Sequence, residues 1–225
     1  MIFDELTEVL DPQPHAAALN MAIDEILLEK ASVPTLRIYG WERPAVSFGY
    51  FGKFADVAAL WPERAWVRRW TGGGIVPHGE DLTYTVIVPR ACEFFQVRPV
   101  ESYERIHAVL AEALGMAAAD VRLAPAAAPK VSNACFENPA QFDVLADGRK
   151  IAGAAQRRTR HGLLHQGSVQ MEGMGSREAA TVLASRLAAA MGRKIVRRDL
   201  AVDEMEQAER LAAAKYGQEE WLRRF

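Results

Sequence analysis

Residues 141–155 read QFDVLADGRKIAGAA. Phe142, Val144 and Ala146 recur at the period of two that marks a strand. Asp147-Gly148 supplies the two-residue turn of a β-hairpin, and a second strand follows it. Working outward, LLHQGSVQM (163–171) reads as a further strand. So does DLTYTVIVP (81–89), where Leu82, Tyr84, Val86 and Val88 alternate with Thr83, Thr85 and Ile87 until Pro89 ends the run. TLRIYG (35–40) and PAVSFG (44–49) predict two shorter strands joined by a turn at WER and a proline. AWVRRW (65–70) is extended and runs into Thr71-Gly72-Gly73-Gly74.

Helical spacing lies between these segments. In HAAALNMAIDEILLEKA (15–31), Leu19, Ile23, Ile26 and Leu27 recur every three or four residues, with Pro14 near the start. FADVAALW (54–61) predicts a brief helix. Residues 100–116 carry Tyr103, Ile106, Val109, Leu110 and Leu114 on one face and close at Gly115. Ser176 has the character of an N-cap for REAATVLASRLAAAMG (177–192), with Glu178 in its first turn. Residues 117–133 form an alanine- and proline-rich irregular connection, and 201–225 predict one or two charge-mixed helices. Strands outnumber any βαβ alternation. The fold class is therefore α+β, with mixed, mostly antiparallel sheets packed with helices, and residues 1–225 are expected to form a single domain.

Composition narrows the function. Of 225 residues, 50% are hydrophobic and 25% charged, and 27 basic against 29 acidic residues give a formal charge of −2. No basic excess is available to steer phosphate, which argues against nucleic acid as a partner. Cys92 and Cys135 cannot build a disulfide framework, and a reducing, cytoplasmic setting is expected. No apolar run approaches the roughly 18 residues of a membrane span. The opening MIFDELTEVLD is acidic and is not a basic-then-apolar leader, so no signal peptide is expected.

Several groups could carry chemistry. Three successive glycines at 72–74 can hold positive φ and bring backbone N–H groups close to a ligand, although a tight turn explains them as well. Arg68 and Arg69 add charge before them, and His78 follows four residues after Gly74. Neither a P-loop nor a GxGxxG spacing is present. Cys135, in the loop-like SNACFENP, is either a small buried hydrophobe or a nucleophile; the second reading needs a nearby cation. Lys150, two residues past the Asp147-Gly148 turn, could fold back to supply it or sit solvated at a strand edge. Arg149, Lys150, Arg157, Arg158 and Arg160 form a basic cluster suited to an acidic protein, an anionic cofactor arm or plain solvation. His161 and His165 have metal-ligand spacing for a helix, but the strand pattern around them spoils it, so no metal is expected. His107 and His15 receive no role, and Cys92 reads as structural.

Together, RRWTGGGIVPHGEDLTYTVIVP (68–89), CFENPAQFDVLADGRKIAGAAQRR (135–158) and GLLHQGSV (162–169) resemble the biotin/lipoate protein ligase and octanoyltransferase superfamily. The early NMAIDEILLE and SFGYFG segments fit too, so the resemblance covers about residues 15–170. It implies a biotin/lipoate ligase-like catalytic domain. Among its members, the LipM-type octanoyltransferases carry a cysteine in a CF-x-x-P loop fifteen residues before a lysine, and Cys135, Phe136, Pro139 and Lys150 stand in that arrangement. Another octanoyltransferase class has its cysteine near Leu163 or Leu164, where this chain has none.

The resemblance implies an octanoyltransferase that moves an octanoyl group from acyl carrier protein to a lysine of a lipoyl-accepting domain, such as glycine cleavage H protein or a dehydrogenase E2 domain. Cys135 would form the acyl thioester and Lys150 would favour its thiolate, with no cofactor. Arg69, Thr71, Gly72, Gly73, Gly74, His78, Gly153 and His165 are the expected substrate-binding residues. The alternatives are an ATP- and Mg-dependent lipoate-protein ligase and a non-catalytic lipoyl- or biotinyl-binding module. The 55 residues after Gln170 leave little room for an accessory domain. The chain is expected to act as a monomer, with neither nucleic acid nor membrane as partner.

Overall fold

In the computed structural model, residues 1–115, 120–128, 139–174 and 176–225 are described. The chain opens on a strand, β1 (Phe3–Leu10), followed by α1 (Ala17–Lys30), β2 (Thr35–Tyr39) and β3 (Ala45–Phe48). After α2 (Phe54–Leu60) come β4 (Ala65–Arg68), β5 (Ile75–His78) and β6 (Leu82–Pro89). A single 3₁₀ turn leads into α3 (Pro99–Gly115), then β7 (Val121–Leu123), β8 (Val144–Ala146), β9 (Arg149–Arg158) and β10 (Gly162–Val169). The remainder is α4 (Arg177–Met191), β11 (Gly192–Asp199), α5 (Val202–Leu211), a π turn and α6 (Glu219–Leu222).

Among the described residues, one sheet has eight strands in the order β11-β1-β2-β6-β10-β9-β8-β7, and a second has three, β4-β3-β5. Pairings are antiparallel except β11-β1, β1-β2 and β3-β4. The fold class is thus the mixed, mostly antiparallel α+β arrangement expected. α3 and α4 pack on one face of the large sheet, over a core that includes Leu6, Leu36, Val88, Leu110 and Leu187. α1, α5 and the C-terminal turns cover a second core through Met21, Ile23, Leu27, Ile87 and Leu164.

The Asp147-Gly148 turn forms as expected, both residues taking positive φ (48° and 77°), as a type I′ hairpin requires. Phe142 is a correction. It belongs not to the strand but to the turn before it, with φ at 68°, and β8 begins two residues later. Ser176 does cap α4, accepting a hydrogen bond from the Ala179 N–H at 3.1 Å. Strands β1, β5, β7 and β11 are additions to the elements read from the sequence. No helix among the described residues is long and apolar enough to cross a membrane.

Candidate functional site

β3, β5, β9 and β10 converge on a partly open cleft of about 470 Å³, lined by Met21, Tyr39, Trp41, Ser47, Val76, Gly153, Ala154, Ala155 and Gly167 among others. The small residues of β9 and β10 leave the space, and the aromatic and aliphatic side chains make it largely apolar. Of the expected substrate-binding residues, Arg69, Gly73, His78 and Gly153 line this cleft, together with Lys150.

Arg69 is buried and organises the glycine segment from beneath. Its Nη2 donates to the carbonyls of Gly72 and Gly74, each at 2.9 Å, and its Nη1 donates to Ser47 Oγ at 2.7 Å. Gly73 takes φ of 87°, and its carbonyl packs against Gly49 so closely that a Cβ on Gly49 would lie 2.0 Å from it. Thr71 donates to Gln166 Oε1 at 2.8 Å, and Gln166 Nε2 donates to Asp24 Oδ2 at 2.7 Å. Asp24 in turn holds Arg37 at 2.7 Å. Thr71 therefore ties the glycine segment to a charge network in the second core; Thr71, Gly72 and Gly74 shape the loop from behind the cleft wall. Burial opposes the charge on Arg37, but Asp24 and Asp11 keep the guanidinium protonated.

His78 is held on both ring nitrogens. Nε2 is 2.6 Å from Ser47 Oγ, Nδ1 is 2.7 Å from Asp81 Oδ2, and the ring stacks on Trp41 at 4.0 Å between centroids. Burial disfavours the Asp81 charge, yet His78, Ser168 and the Gly79 N–H hold its carboxyl below the usual range.

Lys150 stands at the start of β9, its side chain only 6% exposed, with Nζ 2.7 Å from Asp143 Oδ2. It passes directly over Gly153, where a Cβ would meet Lys150 Cε at 2.5 Å and Nζ at 2.6 Å. Lys150 is therefore not a solvated strand-edge charge but a buried one paired with Asp143; Cys135, the partner expected for it, lies outside the described residues. Asp143 is itself anchored by the Ala140 N–H at 2.6 Å and by Tyr103 Oη, which donates at 2.6 Å and accepts from the Ala154 N–H at 3.0 Å. Asp143 and Tyr103 were not singled out in the sequence. The available signal was Tyr103 itself, a polar group on the apolar face of α3 one turn before His107.

His165 does not line the cleft. It is fully buried beneath it, within hydrogen-bonding distance of Tyr84 Oη at 3.3 Å and of Gln156 Nε2 at 3.0 Å. His107 joins the same cluster, 3.2 Å from Tyr84 Oη and 2.7 Å from the Phe142 carbonyl. Burial pushes the His107 pKa down to about 4, and burial with the neighbouring His107 lowers His165 well below the usual range. Both rings are neutral near pH 7 and act as hydrogen-bonding spacers. Among the described residues, no group of three or more His, Cys, Asp or Glu side chains could hold a metal ion. Cys135 lies outside the described residues.

The basic cluster is less open than its composition suggests. Arg157 donates to the Trp70 carbonyl at 3.0 Å and lies over the Trp70 and Tyr50 rings, and Arg158 donates to the Phe95 and Val97 carbonyls. These two arginines brace neighbouring loops; Arg149 and Arg160 stay exposed.

Residues 16–206 match the family model of the lipoyl protein ligase A/B catalytic domain. The chain is 37% identical over 173 residues to the octanoyltransferase LipM of Kyrpidia tusciae, an alignment covering 70% of this chain and 63% of that protein. It thus spans less than two thirds of the length of that relative. The fold is similar to that of a solved Thermoplasma acidophilum protein with bound lipoic acid (TM-score 0.74, 20% identity, 100% of both chains). It is also similar to the bipartite lipoate protein ligase solved in a study of that organism's lipoylation system and its E2 lipoyl domain (TM-score 0.68, 19% identity, 98% and 96% of the chains).

Proposed function

Because the chain belongs to the lipoyl protein ligase A/B catalytic-domain family, we propose that it moves an octanoyl group from acyl carrier protein to a lysine of a lipoyl-accepting domain through a thioester on Cys135. The observation that carries the reading is Lys150, held by Asp143 at the wall of an apolar cleft. It has the interval to Cys135 found in LipM-type octanoyltransferases, and the similarity to octanoyltransferase LipM supports the same assignment.

The octanoyl chain lies among Met21, Val76, Ala154 and Ala155, where burying each methylene is worth about 0.8 kcal/mol. The Lys150 ammonium favours the thiolate form of Cys135. The thiolate attacks the acyl carbonyl, the bond to the carrier's thiol breaks, and that thiol leaves with a proton. The acceptor lysine, as a free amine, then attacks the enzyme thioester to form an amide and return the cysteine. Backbone N–H groups of the glycine segment or near Gly153 stabilise the oxyanion formed in both steps. A thioester is activated toward an amine, so the sequence of steps runs without ATP. The acceptor is a lipoyl domain of the H-protein or E2 kind, which the bipartite ligase's E2 lipoyl domain makes the natural candidate. An ATP-dependent ligase remains the second reading, favoured by the fold's likeness to the bipartite lipoate protein ligase.

The test is the intact mass of the protein after incubation with octanoyl-acyl carrier protein in the absence of ATP. A covalent octanoyl adduct that disappears in Cys135→Ala is the expected result. Acylation that appears only with free lipoate and ATP, and persists in Cys135→Ala, would replace this reading with the ligase.

A further inference from the structure

Ser47, His78 and Asp81 have no part in the transfer chemistry above, yet their geometry is that of a nucleophile, its base and the carboxylate that orients the base. Ser47 Oγ lies 2.6 Å from His78 Nε2, and His78 Nδ1 lies 2.7 Å from Asp81 Oδ2. Asp81 also accepts from Ser168 Oγ at 2.6 Å, Thr83 Oγ1 at 3.0 Å and the Gly79 N–H at 3.1 Å, so the carboxylate is fixed and ionised. The tautomer with its proton on Nδ1 is the one that donates to that carboxylate. Nε2 is then an acceptor, and the Ser47 hydroxyl is the donor that meets it. Such a constellation is recognised by roles and distances on any fold.

Two further observations point to reactivity. Arg69 Nη1 donates to Ser47 Oγ at 2.7 Å, placing a fixed cation beside the oxygen that would attack and beside the site where an oxyanion would form. Ser47, Arg69 and His78 also belong to the wall of the cleft that Lys150 and Gly153 line, with Ser47 itself fully buried in that wall.

We propose that Ser47, His78 and Asp81 form a second acyl-accepting centre that hydrolyses medium-chain acyl thioesters, an inference that rests on reading the cleft as an acyl-chain site. Ser47 Oγ forms a bond to the acyl carbonyl carbon while the carbon–sulfur bond breaks; His78 takes the hydroxyl proton and delivers it to the departing thiolate. Water then attacks the ester carbon and gives its proton to His78. The bond to Oγ breaks, Ser47 recovers the proton, and a thiol and a carboxylic acid have been released. Ser47 and His78 are the catalytic residues, and Asp81 positions the imidazole.

The experiment is labelling of the full chain, wild type and Cys135→Ala, with an octyl fluorophosphonate, followed by peptide mapping by mass spectrometry. The expected result is a phosphonyl adduct on Ser47 in both proteins, formed at least about 100-fold more slowly in His78→Gln. No adduct, or an adduct elsewhere, overturns the proposal. Cys135→Ala should still release thiol and octanoate from an octanoyl thioester without accumulating an octanoyl adduct, because water clears the Ser47 ester; release no faster than when His78→Gln is added would also overturn it. Octanoyl transfer without Ser47 labelling removes the serine centre alone, whereas Ser47 labelling without octanoyl transfer removes the transferase reading alone.

Discussion

Gly153 shows how one absent side chain positions a charge. The hydrogen at its Cα leaves the corridor through which Lys150 reaches Asp143; a methyl group there would stand 2.5 Å from Lys150 Cε and 3.1 Å from Asp143 Oδ1. Gly153→Ala must displace the lysine, because Asp143 is tied to the Ala140 backbone and to Tyr103. Octanoyl transfer should drop at least about tenfold, with a stability loss of about 1–3 kcal/mol from overpacking. Chemical denaturation and single-turnover acyl transfer measure the two effects; full activity in this variant would mean that the threaded lysine is not what the reaction uses. Gly167 poses the same problem on β10, where a Cβ would lie 2.3 Å from Tyr84 Cζ. Gly167→Ala should cost a similar amount of stability, read from the urea midpoint.

Helix α3 and strand β10 bring two neutral histidines into one buried cluster, and this makes their packing sensitive to acid. His107 has a folded pKa of about 4 against an unfolded value of 6.5, so the unfolded chain binds more protons in between. The sign follows: stability is full above pH 6.5 and falls as the pH drops toward 4, by about 3 kcal/mol for His107 alone. His165 adds to the same fall, since its pKa is lowered in the same direction. Urea midpoints at about pH 7 and pH 5 should therefore differ before carboxylates begin to titrate. A midpoint unchanged over this interval would show that the cluster takes up protons without opening. His107→Gln should remove part of the slope.

At the level of the whole molecule, the C-terminal turns close onto the strand that leads to the glycine segment. Arg68, fully buried on β4, donates to the carbonyls of Trp221 at 2.8 Å and Leu222 at 2.7 Å, and to those of Tyr50 at 2.6 Å and Gly52 at 2.7 Å. Trp221 returns a hydrogen bond from its indole N–H to the Arg68 carbonyl at 3.0 Å. One guanidinium thus joins residues 50–52, β4 and α6. Trp221→Ala should cost about 3–5 kcal/mol and speed amide exchange of the neighbouring backbone around Tyr50 and Gly52. Exchange confined to α6 would show that the loop stands without the C-terminal clamp.

The hairpin at 147–148, the alternation of β6 and the Ser176 cap could be read directly from the chain, because each depends on interactions within a few residues. The segments around the three glycines, Lys150 and β10 likewise sufficed to place the chain in its family. Strand β11 could not be read in this way: GRKIVRRD is charged and without alternation, and it is a strand because β1, some 190 residues away in sequence, offers it a parallel partner. Gly192 permits that approach, since a Cβ there would lie 2.6 Å from Leu6 Cβ. Phe142 looked like a strand residue by period, but the turn that exposes its carbonyl to His107 needs the left-handed region. The separation of His165 from the cleft and the alignment of Ser47 with His78 and Asp81 arise only when strands from distant parts of the chain are set side by side, and the Lys150–Asp143 pair, local to one hairpin, is anchored by Tyr103 from α3. Local propensity carries turns, caps and periods; which polar side chains share a buried space is decided by packing, and packing is where charge and chemistry meet in this molecule.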